Sequence, residues 1–202
     1  MMPEISLNIL DVAENSVRAG AALITIKVLY DTGLCSLTVV IEDDGCGMDE
    51  EAAARVTDPF FTSRKTRDVG LGVPFFKQAA ELTGGSFDIK SEKGIGTVVT
   101  AVFNTESIDC MPMGDIDSTI HTLMTCHQDI EFLYEYAVDG RSFVLDTREI
   151  KEILGGVPFD APEVSQFLMN YLKENRVRLS KNSFPSSGHP HFAPDFGQNR
   201  SK

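Results

Sequence analysis

The chain is poor in cysteine. Its four cysteines, Cys35, Cys46, Cys110 and Cys126, are scattered through 202 residues, and no two form a Cys-x-x-Cys pair. That spacing argues against a zinc site and fits a reduced, cytoplasmic setting. Basic residues are also scarce: 18 Lys and Arg stand against 30 Asp and Glu, a formal net charge of −12. A phosphate backbone needs a basic face, so nucleic acid is not the expected partner. No apolar run approaches the roughly 20 residues that a membrane helix requires. The opening "MMPEISLNIL" lacks a basic stretch followed by an apolar core, so neither a membrane anchor nor a secretory signal is expected.

What the chain does contain is enough apolar residue, 42%, to build a packed core. "ISLNILDVAENSVRAGA" reads as a first helix, with Leu7, Leu10, Ala13 and Val17 at helical spacing. A second stripe on it carries Asn8, Asp11, Asn15 and Arg18, unusually rich in hydrogen-bonding groups. "ALITIKVLY" and "LCSLTVVIED" alternate around a Gly-containing turn, the pattern of an antiparallel hairpin with Ile24, Ile26, Val28 and Tyr30 on one face. Residues 43–70 read as irregular. "GLGVPFFKQAAELTGG" predicts a helix buried through Leu71, Phe75, Ala79 and Leu82 and stopped at Gly84-Gly85. "SFDIK", the turn "SEKG" and "TVVTAVF" predict a second hairpin.

Helix, hairpin, long loop, helix, hairpin describes an α+β sandwich: a mostly antiparallel sheet covered by helices on one face. The βαβαβ alternation of a doubly wound dinucleotide-binding fold is missing, and so is any internal repeat. From residue 105 to 180 a small C-terminal α+β region follows: a helix in "GDIDSTIHTLMTCH", a hairpin around Asp139-Gly140, and two more helices. The tail 181–202, rich in Ser, Pro, Gly and Asn, is expected to be disordered.

The chemistry concentrates in a few short stretches. In "VIEDDGCGM" a strand runs into a carboxylate and two glycines. An ATP site needs a partly shielded carboxylate that accepts the exocyclic amino proton of adenine, and Asp43, at a strand end, is placed for this. Guanine offers a carbonyl there and would leave the acid unpaired. Gly45 and Gly47 let the backbone approach the base. Asn15 offers an amide oxygen to Mg²⁺, with phosphates and water completing the shell. Asp11 lies one turn earlier on the same helical face, placed to orient or deprotonate a nucleophile. Gly70-Leu71-Gly72, at the head of the second helix, presents N–H groups to anions. Alone, each piece reads more readily as an ordinary turn or a solvated helix face; their order and spacing together set them apart.

That order resembles the gyrase/heat-shock chaperone/histidine kinase/mismatch-repair (GHKL) ATPase superfamily. "LDVAENSVRAGA" is similar to its N box, "DDGCGM" to its first glycine box, "DPFFTSR" to the F box of histidine kinases, "VGLGV" to the second glycine box and "GIGTVVT" to the final Gly-x-Gly-Thr element. The five cover residues 5–103. The resemblance implies a Bergerat-type ATP-binding fold in residues 1–104, Mg²⁺ on Asn15, adenine on Asp43, and an ATP lid over residues 57–70. It places Met48, Phe60, Thr62, Leu71 and Thr97 among the nucleotide-contacting residues and Arg64, Lys65 and Arg67 near the phosphates. Two departures stand out. Kinase members often read Gly-Thr-Gly-Leu-Gly where this chain reads Asp68-Val69-Gly70-Leu71-Gly72, and Asp11 stands where hydrolysing members carry Glu and many histidine kinases carry Asn.

Because the N box starts within the first ten residues, a preceding helical domain that could carry a phospho-accepting histidine is not expected. His121 and His127 lack the sequence expected around such a histidine and read as core or surface residues. The expectation is therefore a stand-alone ATP-binding protein that transfers the γ-phosphate to a partner protein in trans, with Asp11 as the base. The alternatives are an ATP-dependent conformational switch with slow hydrolysis, and a binder without turnover. The acidic, amphipathic 105–180 region suits protein contacts or a homodimer.

Overall fold

Alternating apolar residues decide the sheet. Along β1 (Leu23–Asp31) and β2 (Ser36–Asp43), every second side chain (Ile24, Ile26, Val28; Leu37, Val39, Ile41) is buried, and hydrophobic burial on one face holds the register. The computed structural model describes residues 3–57 and 72–181. Phe60, Thr62, Arg64, Lys65, Arg67, Gly70 and Leu71, the F box and residues 182–202 of the expected tail lie outside the described residues, while Lys181 is the last residue of a helix.

After β2 come β3 (Ser86–Glu92) and β4 (Gly96–Asn104), then β5 (Glu131–Val138) and β6 (Arg141–Asp146). All six form one sheet in the order β3-β4-β2-β1-β5-β6. Every pairing is antiparallel except β1 with β5, which is parallel. The C-terminal hairpin thus extends the sheet of the first hundred residues and shares one hydrophobic core with it.

The helices are α1 (Ile5–Arg18), α2 (Glu50–Val56), α3 (Gly72–Leu82), α4 (Ile116–Cys126), α5 (Thr147–Leu154) and α6 (Pro162–Lys181). α1 lies between α3 and α4 over the inward face. On α3, Phe76 is fully buried against the rings of Phe87 and Phe103, from β3 and β4. α6 meets β6 through the Phe143–Tyr171 ring pair. This is the expected α+β architecture, with a mostly antiparallel sheet and helices across one face. No helix among the described residues is long and apolar enough to cross a membrane.

Three details differ from the sequence reading. α1 buries Ile5, Ile9, Val12, Ala13 and Ser16, whereas Leu10 and Val17 are only partly buried. Asn8, expected on a polar stripe, is 1% exposed, its Nδ2 donating to the Glu4 carbonyl at 3.0 Å. α3 buries Val73, Pro74, Phe76, Ala79 and Ala80, leaving Phe75 partly buried and Leu82 46% exposed. In both helices aliphatic residues surround most of the axis, so neighbouring helices choose the buried stripe and periodicity alone does not. The third difference is α2, in the segment read as irregular. It has no buried residue and rests on its Asp49 cap, which accepts from the Ala52 N–H at 2.8 Å, and on three alanines.

Candidate functional site

One end of the sheet carries a row of polar side chains on the helix-covered face. Asp43 on β2 is in register with Thr97 on β4, and Thr97 with Ser91 on β3. On β3 the inward alternation runs Phe87, Ile89, Ser91, and on β4 it runs back from Phe103, Ala101 and Val99 to Thr97. Apolar side chains therefore give way to hydroxyls and a carboxylate as the strands leave the core. Directly opposed cross-strand side chains lie within contact range.

Asp43 is anchored on both oxygens. The Ser16 hydroxyl donates to Oδ2 at 2.6 Å and the Gly45 N–H to Oδ1 at 3.0 Å. Ser16 itself is 4% exposed. It follows Asn15 directly, so this bond sets the N-box helix against the sheet end. Each carboxylate oxygen accepts more than one bond, so Asp43 keeps lone pairs for a further donor. Asp44, which is exposed, serves the scaffold through one oxygen: its Oδ1 accepts from the N–H groups of Ala22 and Leu23 at 2.7 and 2.9 Å.

The glycine stretch after Asp43 is folded back onto the β3–β4 turn. The Cys46 N–H donates to the Ala19 carbonyl at 2.9 Å, and the Cys46 carbonyl accepts from the Gly94 N–H at 2.8 Å. Gly47 has φ of +58°, and a Cβ there would stand 2.0 Å from the Glu92 carbonyl oxygen. Both its backbone conformation and the lack of space exclude a side chain. Met48 follows, its N–H donating to the Ser91 hydroxyl at 2.8 Å.

Asp11 and Asn15 occupy the α1 face turned toward α3. A Cβ on Gly72, the first residue of α3, would lie 2.7 Å from the Asp11 Cβ, so no side chain fits between the two helices there. Burial against α3 raises the Asp11 carboxyl above its ordinary value; Arg18 pulls it down and Glu14 pushes it up. Among the described residues the Asn15 Oδ1 accepts from the Arg18 guanidinium at 3.4 Å, and an amide oxygen so placed can serve as a hard oxygen ligand. Among the described residues no group of three or more His, Cys, Asp or Glu could cage a metal ion.

A cavity of about 380 Å³ opens at the same sheet end; its walls include Asp43, Ser91 and Thr97 together with Leu23, Thr25, Glu42, Lys90 and Val98, whose positions alternate to the opposite face of the strands. The cavity therefore borders the polar row at the sheet end, while Asp11 and Asn15 of α1 are not among its walls. The expected site residues Asp11, Asn15, Asp43, Gly45, Gly47, Met48, Gly72 and Thr97 gather on the helix-covered side.

Sequence reading missed three contributors. Ser16 was legible as a hydroxyl falling in the apolar stripe of Ile9 and Val12. Ser91 was legible as the inward position that breaks the Phe87–Ile89 alternation. The Glu14–His127 contact at 2.8 Å, which ties α4 to the N-box helix, joins residues too distant in sequence to be paired by inspection.

Residues 3–107 match the family described as histidine kinase-, DNA gyrase B-, and HSP90-like ATPase. A putative sensor protein of Shewanella frigidimarina is 30% identical over 101 residues, which are 50% of this chain and 15% of that protein. Sensor histidine kinase YvrG of Bacillus subtilis is 27% identical over 96 residues, 46% of this chain and 17% of that one. The chain thus matches only a small part of the length of these relatives. Among solved structures, the N-terminal domain of a DNA repair protein superposes with a TM-score of 0.50 at 11% identity, covering 72% of this chain and 53% of that chain, a likeness of fold alone.

Proposed function

The chain belongs to the histidine kinase-, DNA gyrase B- and HSP90-like ATPase family, and from that premise we propose that it binds ATP with Mg²⁺ and passes the γ-phosphoryl group to a partner protein. The residues present suit this ligand pair. Asp43, with Ser16 and Gly45 already on its oxygens, keeps acceptor capacity where an adenine amino group would be read. Gly47 keeps the floor of that pocket free of side chain. The lack of a protein cage for a cation among the described residues suits Mg²⁺ that takes one oxygen from Asn15 and the rest from phosphate and water. When bound, Mg²⁺-ATP supplies the phosphoryl group and neutralises charge on it.

The observation that carries the transfer reading is Asp11. It shares a helical face with Asn15, packs against Gly72, and is shifted by burial toward a value at which a carboxylate takes a proton more readily. Its task would be to hold the acceptor hydroxyl or imidazole and receive its proton. Arg64, Lys65 and Arg67 would meet the phosphates. An acceptor on another chain is supported by the two histidines of the described residues, each engaged internally: His121 with Ser165 at 2.9 Å and His127 with Glu14 at 2.8 Å. Two similar proteins are sensor histidine kinases, which supports phosphoryl transfer as the reaction class.

The test is incubation with γ-labelled ATP and Mg²⁺, alone and with fractionated cell extract. The expected result is label on a second protein, lost in Asn15→Ala and in Asp11→Asn, with Asp11→Asn still binding ATP. Release of free phosphate with no labelled protein would overturn transfer and leave an ATP-driven switch.

A further inference from the structure

Ser91 belongs to none of the five motifs, yet three groups of the site converge on its hydroxyl. The Met48 N–H donates to it at 2.8 Å, the Gly96 carbonyl oxygen lies at 3.1 Å, and Thr97 Oγ1 lies at 2.9 Å. A hydroxyl has one proton and two lone pairs. Met48 takes one lone pair. The Gly96 carbonyl can only accept, so the Ser91 proton goes to it. The second lone pair of Ser91 is then filled by the Thr97 proton, and all three neighbours are satisfied. Thr97 is left facing the site with lone pairs only.

Asp43 is the next side chain in the row and also only accepts. We infer that Ser91 is a specificity-determining residue: by drawing the Thr97 proton to itself, it makes the sheet end present two adjacent acceptors and no donor. Such an edge recognises a 6-aminopurine nucleotide, whose amino group brings N–H donors, and disfavours a 6-oxopurine nucleotide, whose carbonyl would face lone pairs on both sides. The inference rests on the reading of the site as a nucleotide pocket and deepens it. Ser91 acts through Thr97, as a positioning residue.

Removing the Ser91 hydroxyl frees the Thr97 proton to rotate toward the ligand and donate to a carbonyl. The test is calorimetric titration of the full chain with Mg²⁺-ATP and Mg²⁺-ITP, which differ at the purine 6-position. The native protein is expected to prefer ATP. Ser91→Ala is expected to reduce the ATP/ITP ratio by about tenfold, the scale of one hydrogen bond gained or lost, whereas Ser91→Thr, which keeps the hydroxyl on a strand-compatible residue, retains the native ratio. Thr97→Val deletes the second acceptor directly, so it should lower the ratio by weakening ATP with little change for ITP. A native ratio in either Ser91→Ala or Thr97→Val overturns the inference while leaving nucleotide binding in place. No binding of either nucleotide by the native chain overturns the pocket reading, and this inference with it.

Discussion

Two halves of one sheet treat their polar groups differently. Read across the inward face at one level, the register runs Ser91, Thr97, Asp43, Ile24, Phe132. The β3–β4–β2 half ends in two hydroxyls and a carboxylate. At the β2–β1 boundary the row turns apolar, with Ile24 at 0% and Phe132 at 2% exposure. The β1–β5–β6 half does hold charge, but there it is closed on itself. Asp117 on α4 receives the Arg176 guanidinium of α6 through Nε, at 2.9 Å to both oxygens, and Nη2 at 2.7 Å, with both side chains largely buried beside Tyr134 and Tyr136. Tyr134 is buried completely, and burial holds its hydroxyl well above the usual phenol range. A carboxylate with acceptor capacity left over can take a ligand, whereas one closed by a bidentate arginine ties helices together. The contrast fits the proposed reading, in which the N-terminal half carries the chemistry and the C-terminal half supplies the support.

The largest effect that would sharpen the contrast is expected in the supporting half. Asp117→Ala leaves the Arg176 charge buried without its carboxylate and should cost about 3–5 kcal/mol of stability. Urea unfolding would measure it, with nucleotide affinity of the folded fraction unchanged. In the other half, Asp11→Asn should do the reverse, slowing turnover by about 10²–10⁴-fold while binding persists. Its stability has a sign that can be checked. Because burial raises the Asp11 carboxyl in the folded state, the native protein loses stability as pH rises from the unfolded carboxylate value through the raised folded one. Asp11→Asn abolishes that loss, so the variant should be no less stable than the native chain at neutral pH and flatter in its pH profile through the acid range. Thermal melts at several pH values would decide it.

Asp43→Ala should weaken ATP by about 100-fold, the scale of a lost charge-assisted hydrogen bond, and, because it leaves the buried Ser16 hydroxyl without its acceptor, should cost about 1–3 kcal/mol of stability, less than Asp117→Ala. The smallest expected effect is Ser16→Ala, which leaves Asp43 one donor short and should weaken ATP by about tenfold, read in the same titration. A stability loss from Asp43→Ala as large as that from Asp117→Ala, or a large affinity loss from Asp117→Ala, would break the division between the halves.

Much of the candidate site was legible because its residues are close in sequence and tied to local geometry. "VIEDDGCGM" places Asp43 at a strand end and Gly47 at a left-handed turn within a few positions. The hairpins were equally local, marked by alternation around "DTG", "SEKG" and Asp139-Gly140. What could not be read depends on partners far along the chain. The parallel pairing of β5 with β1 joins residues more than a hundred positions apart, and no local pattern specifies which edge a second hairpin will take. The buried stripe of α1 is chosen by α3 and α4 among several aliphatic options. Ser91 has a role only because β3 lies beside β4, which puts its hydroxyl between Met48 and Thr97.

The central claim is that Asp43 reads the amino edge of an adenine base. Calorimetric titration of the full chain with Mg²⁺-ATP and Mg²⁺-GTP tests it most directly. The account predicts saturable ATP binding and an affinity for GTP lower by about 10- to 100-fold, the scale set by leaving a carboxylate without its donor. Equal affinity for the two nucleotides, or binding of neither, would contradict it.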